Sequence, residues 1–441
     1  MRRRWMKVLA PLAVFAAVAA GCSDDDGGDA NGATGTTSSN GDGGGGDLAG
    51  QTIEVAAVWS GAEQDSFEEV MSKFEKDTGA TVTFTSTGDD IATVLGTRLE
   101  GNDPPDVAIL PQPGLMSDLV ARGALQPIED VAGDAVDEHY SKDWRTLGTV
   151  DDTLYGVWFK AANKSTFWYR PGVFDDAGVE PPKDWDALLS AASTIRDSGV
   201  TPLAVAGGDG WTLTDWFENV YLRMAGPEKY DQLVKHEIPW TDPSVVGALQ
   251  KLGDLWSQTD LLAPGYANMT FPESVTTVFG GDAAMVFEGD FVAGTITDET
   301  DAKLGEDADF FPFPAVDDSA PMVVGGGDVA VLMTQSDAAK QFIAYLASPE
   351  AAEIWAARGG FTSPNKDVNL DVYPDDIGRR SAEEMVNAET FRFDLSDLVP
   401  SAFGGTPAQG MWKALQDFLA NPTDANAAAT ALETSAAAAY Q

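Results

Sequence analysis

The chain is poor in cysteine, histidine and positive charge. Its 441 residues include 1 Cys and 2 His, and 27 Lys plus Arg stand against 70 Asp plus Glu. A single cysteine cannot build a disulfide framework, and an odd thiol in an exported chain needs another purpose. The two histidines, His139 and His236, sit in polar stretches away from any predicted strand end. No Ser–His catalytic pair and no metal site is therefore expected. A formal charge of −43 makes nucleic acid and anionic membrane surfaces poor partners. Beyond the N-terminus no apolar run is long enough to span a bilayer.

What is present begins with a leader. Arg2, Arg3, Arg4 and Lys7 precede an apolar run over residues 8–20, and small residues lead into Gly21-Cys22. This is the layout of a secretory signal peptide, with an h-region too short for an ordinary membrane helix. Its end, Val18-Ala19-Ala20-Gly21-Cys22, resembles a bacterial lipobox, which implies cleavage before Cys22 and attachment of a diacylglycerol to its thiol. The exported protein is then expected at the outer face of the cell membrane, anchored by that lipid. Residues 22–50 are rich in Gly, Asp, Ser, Thr and Asn; they bury too little apolar surface to fold and read as a tether. The run Asp24-Asp25-Asp26 lacks EF-hand spacing and reads as solvated linker rather than a calcium site.

The remainder exceeds the usual size of a single core and calls for two lobes. Strands are predicted over 52–58, 81–85 and 106–110, with helices over about 63–78 and 90–99 between them. That alternation marks an α/β fold with a parallel sheet covered by helices. Ligands bind beyond the carboxyl ends of such strands, which places residues 59–64 and 111–114 at one binding edge. Further strands are predicted over 153–158, 167–169, 202–205, 283–287 and 329–333. Helices are predicted over 185–198, 214–224, 338–347, 411–419 and 425–439, a loop over 207–211, and a glycine-rich crossing at Gly325-Gly326-Gly327.

Several segments then resemble one family. Val58-Trp59-Ser60-Gly61, the stretch Pro105-Asp106-Val107-Ala108-Ile109-Leu110-Pro111-Gln112-Pro113-Gly114, Leu154-Tyr155-Gly156-Val157 and Ala284-Met285-Val286-Phe287-Glu288-Gly289 are similar to extracellular solute-binding proteins of bacterial carbohydrate ABC transporters. Lys164-Ser165, Trp168-Tyr169 and Thr214-Asp215-Trp216 resemble the alpha-glucoside branch in particular. The resemblance implies a periplasmic-binding-protein-like fold of two α/β lobes, three chain crossings at a hinge, and an interlobe cleft that closes on a sugar. It implies an ABC permease as partner, no catalysis and no cofactor. Placed on this chain, it divides the protein into lobe one at 51–165 plus 328–375 and lobe two at 166–327 plus 376–441, most simply as a monomer. Where family members often carry tryptophan after the strand ending at Glu288-Gly289-Asp290, this chain has Phe291.

A sugar offers an apolar C–H face and a rim of hydroxyls, so its site needs an aromatic platform and planar polar groups. Trp59 and Trp211 are the candidate platforms, whereas Trp185 and Trp256 lie on helical patterns and belong to the core. Glu63, Asp215, Glu288 and Asp290 are candidate hydroxyl acceptors, although Glu63 and Asp215 also suit helix starts. Gln112, between two prolines at a strand end, is a candidate hydroxyl reader, and Lys160 suits a hydroxyl, a uronate carboxylate or a neighbouring aspartate. The same carboxylates keep a glycoside hydrolase as an alternative, and Lys160 keeps a peptide- or amino-acid-binding lipoprotein. Replacing Cys22 with Ser is expected to release the protein into the medium or to block its processing, as read by membrane fractionation; unchanged membrane retention contradicts the anchor.

Overall fold

The computed structural model describes residues 48–441; the leader, Cys22 and most of the tether lie outside them. Three strands open the fold, Thr52–Ala57, Thr81–Ser86 and Val107–Leu110, and they pair in parallel with the first in the middle. Between the first two runs the helix Gly61–Thr78, whose buried face carries Phe67, Val70, Met71 and Phe74. These positions recur at helical spacing, so one stripe packs against the sheet while the charged remainder stays in water.

The strand Val323–Leu332 completes this sheet. One of its edges takes Gly156–Asn163 antiparallel over the segment 156–163. Its other edge takes Val107–Leu110 antiparallel near one end and Phe391–Phe393 in parallel near the other. A second sheet has the order Asp309–Pro312, Thr166–Tyr169, Ala283–Glu288, Thr201–Ala204. The chain thus leaves the first sheet at Asn163 and enters the second at Thr166. It returns from Pro312 to Val323, and passes again from Phe393 to the helical segment at Leu395.

Each sheet carries its own core. The first gathers Ile53, Phe67, Trp59, Trp158, Phe159, Phe342 and Trp355, with Phe393 at its margin. The second gathers Phe167, Trp216, Trp240, Trp256, Phe287, Phe313 and Phe403, and draws in the C-terminal helices through Trp412 and Leu432. The molecule is a two-lobed α/β protein. Among the described residues no helix is long and apolar enough to cross a membrane.

Most predicted elements fall near their expected positions, and two differences bear on the site. Gly325, Gly326 and Gly327 are not a loose crossing but part of the ten-residue strand Val323–Leu332. A Cβ on Gly326 would lie 2.8 Å from Cε of Lys164, so the missing side chain is what lets that lysine lie across the strand. The helix expected from 214 begins at Trp211. Gly210 precedes it with φ of 78°, and a Cβ there would sit 2.8 Å from Cβ of Trp412. Both the backbone and the neighbour therefore require glycine. Trp256 is fully buried against Trp216 and Phe418. Trp256→Ala is expected to lower stability by about 3–5 kcal/mol, as measured by denaturant unfolding; a loss below about 1 kcal/mol would contradict this packing.

Candidate functional site

The binding edge at residues 59–64 and 111–114 opens onto a cavity of about 430 Å³. Val58, Trp59, Ser60 and Glu63 reach it from the turn between the first strand and its helix, and Pro111 and Gln112 from the end of Val107–Leu110. Its floor is Lys160, Ala162 and Lys164 beside Gly327 and Asp328, so the paired crossing strands form the back of the cleft. The opposite wall is aromatic. Trp211 lies 5.6 Å from Phe271 and 5.9 Å from Phe291, ring centre to ring centre, and Trp412 lines the same side. Tilted and edge contacts of this kind fix the rings while leaving faces for a ligand.

Two lysines organise the charge. Lys160 is buried and pairs with Glu63, with Asp328 4.0 Å away; its ammonium lies 5.9 Å from the Trp59 ring centre and 5.4 Å from that of Phe291. Trp59 in turn donates from Nε1 to Asp328 Oδ2 at 3.3 Å. Burial works against the Lys160 charge, but Glu63 and Asp328 outweigh it and its pKa is raised. Burial pushes the Asp328 carboxyl up to about 6 despite Lys160 beside it.

Lys164, four residues further along the chain, lines the same cavity. It pairs with Asp394, lies 3.3 Å from Asp215 and 3.7 Å from Asp397, and has the Trp211 ring at 5.8 Å. Burial opposes its charge, yet the surrounding carboxylates hold its pKa well above normal. Within the cluster Asp394 keeps the negative charge. Burial alone would raise it, but Lys164 and hydrogen bonds from Asp215 and Ser396 bring it down to about 2. Asp215 and Asp397 are pushed well above the usual carboxylate range, first by burial. This is the expected outcome when several carboxyls share one cation in a dry site.

Of the eight residues expected to touch ligand, Trp59, Glu63, Gln112, Lys160 and Trp211 line the cavity, and Asp215, Glu288 and Asp290 do not. Asp215 is fully buried in the first turns of Trp211–Val234, where it serves Lys164 rather than a helix cap. Glu288 ends its strand facing inward; burial first, and then the nearby Asp215, push its pKa well above the usual carboxylate range. Asp290 Oδ2 accepts from Thr362 at 2.6 Å and Ser381 at 2.9 Å, which ties it to other protein segments. Both histidines pair at the surface, His139 with Asp367 and His236 with Glu433, away from the cavity.

Among the described residues, Asp215, Glu218 and Asp394 approach one another closely enough to suggest a metal. Glu218, however, accepts from the backbone N–H groups of Leu395 at 2.7 Å and Ser396 at 2.9 Å, and Lys164 already supplies the positive charge. Lining residues that were not among the eight site candidates include Asp89, Lys164, Asp209, Phe271, Phe291, Asp328, Asp397 and Trp412. Asp209 and Phe291 stood in loops already noted, whereas Asp89 and Trp412 carried no signal of their own.

A sequence profile of the bacterial extracellular solute-binding protein family matches residues 59–353. The chain belongs to that family. It is 34% identical over 405 residues to the alpha-glucosides-binding periplasmic protein AglE of Rhizobium meliloti, with 87% of each chain covered. It is 33% identical over 392 residues to the osmoprotective compounds-binding protein GgtB of a Synechocystis strain, covering 85% of this chain and 90% of that one. The fold is similar to the crystal structure of the bacterial solute receptor AcbH, described as preferring b-D-galactopyranose, with a TM-score of 0.79, 23% identity, and 90% and 100% of the two chains covered.

The depressed pKa of Asp394 has a consequence for stability. A group held below its ordinary value stabilises the fold above that value and loses the contribution as pH falls through the folded pKa. Asp394→Asn is therefore expected to cost about 2–3 kcal/mol near neutral pH, with the cost fading as pH falls from about 4 towards 2. Urea unfolding across that range checks it; a cost independent of pH would contradict the assignment of the charge.

Proposed function

We propose that the protein captures a sugar or short oligosaccharide, alpha-glucoside-like, between its two lobes and delivers it to an ABC transporter permease. On this reading lobe one comprises 51–165 plus 328–375 and lobe two 166–327 plus 376–441. A diacyl anchor at Cys22 holds the protein at the outer face of the membrane, where it works as a monomer. The observation that carries the reading is the cavity itself: an aromatic wall of Trp211, Phe271, Phe291 and Trp412 faces Trp59 and the Gln112 amide across about 430 Å³. Such a wall stacks on the C–H face of a sugar while the amide and carboxylates take its hydroxyls. The names of the relatives, an alpha-glucosides-binding and an osmoprotective compounds-binding protein, support small polyhydroxylated ligands.

The two walls come from different lobes, so either lobe alone leaves half the ligand hydrated. Affinity then depends on closure, driven by contacts that exist only in the closed state. The alternatives fare less well. A hydrolase would lose three of its candidate carboxylates, Asp215, Glu288 and Asp290, to the interior. A peptide-binding role would need a free cation, and Lys160 is already paired.

Trp211→Ala is expected to weaken sugar binding by about 2 to 4 kcal/mol, from lost burial and stacking together, which is about 30- to 1000-fold in affinity. Trp256→Ala should leave the affinity of the folded fraction nearly intact. Isothermal titration with a sugar found in a thermal-shift screen reads both; equal losses for the two variants, or none for Trp211→Ala, would place the site elsewhere.

A further inference from the structure

The cavity has more acceptors than its own cations can satisfy. Lys160 is consumed by Glu63 and Asp328, and Lys164 by Asp394, Asp215 and Asp397. Two lining carboxylates have no cation beside them. Asp89 stands at the rim, in the turn Gly88–Asp90 that follows Thr81–Ser86. Asp209 stands in the loop before Trp211, on the other lobe, with Oδ2 accepting from the backbone N–H of Phe271 at 2.5 Å. Both line the one cavity, and burial first, then the charge of Asp209, pushes the Asp89 carboxyl up to about 7. A third acceptor is independent of them. Gln112 is 5% exposed, lines the same cavity, and its Oε1 has no hydrogen-bond partner within the protein. A buried polar atom left unpaired is costly, which makes Gln112 Oε1 a candidate acceptor for a ligand donor.

We propose that Asp89 and Asp209 make this a charge-selective saccharide site, one that favours a glycoside carrying a protonated amine over its neutral parent and rejects the corresponding uronate. The inference rests on the sugar-binding reading above and names the class of sugar. An ammonium in the cavity offers these acids a charge-assisted hydrogen-bond donor and favours their ionised forms. A hydroxyl satisfies them more weakly. A carboxylate adds a third negative charge and finds no unpaired lysine in the cavity wall.

The test uses three forms of one α-linked glucose disaccharide: the neutral sugar, derivatives with an amino group replacing the hydroxyl at C2 or C6, and the C6 uronate. Titration calorimetry near neutral pH on the wild-type protein and on the Asp89→Asn, Asp209→Asn double variant gives the ranking. Asparagine keeps an acceptor for the Phe271 N–H, so the loop keeps its cap. The expected result for the wild type is about tenfold tighter binding of one amino derivative and at least about tenfold weaker binding of the uronate, with the spread falling to about threefold in the double variant. Uronate binding equal to or tighter than neutral binding overturns the inference while leaving the sugar-binding reading intact. A ranking that survives in the double variant but collapses at high salt assigns the selectivity to the overall negative charge and overturns it as well. Failure of every form to bind refutes both readings.

Discussion

Two lysines on one crossing of the chain hold the binding region together. Lys160 and Lys164 emerge four residues apart where the chain passes from the first sheet to the second. Between them they bind carboxylates from the first helix, from the long central strand, from the second lobe and from the last crossing. Buried charges are tolerated only when paired and hydrogen-bonded. Removing either lysine would leave several acids stranded in the interior. The glycine run at 325–327 follows from the same constraint, because a side chain on Gly326 would occupy the path of the Lys164 stem.

This arrangement separates structural charge from recognition. Asp215, Asp394 and Glu288 lie where the lobes join, and their pKa shifts are set by burial and by Lys164. The surfaces left for a ligand are aromatic rings, one buried amide and the carboxylates at the rim. Trp211 connects the two functions. Its ring faces the cavity, the Lys164 ammonium lies 5.8 Å from the ring centre, and its helix supplies Asp215 one turn later.

The sequence was most informative where local pattern decides. Alternating strands and helices placed residues 59–63 and 111–112 at one edge, because ligands meet the carboxyl ends of parallel strands, and the structure brings Trp59, Glu63 and Gln112 to the cavity. It was least informative where orientation decides. Glu288 and Asp290 sit at a strand end as expected, but nothing in their spacing reveals that one faces Asp215 and the other Thr362 and Ser381. Asp215 was invisible as an ion-pair partner because its helix is buried on every side in its first turns, so no amphipathic stripe marks which face meets Lys164. Asp89 and Trp412, far apart in the chain, reach the cavity only through the packing of the lobes.

The central claim is that the lysines organise the cleft while the aromatic wall and the amide read the ligand. A crystal structure of the saccharide complex tests it most directly. The account predicts a sugar ring against Trp211, a hydroxyl on Gln112 Oε1, and Lys164 still paired with Asp394. A sugar held instead by Lys160 or Lys164, with their carboxylates released, would contradict it.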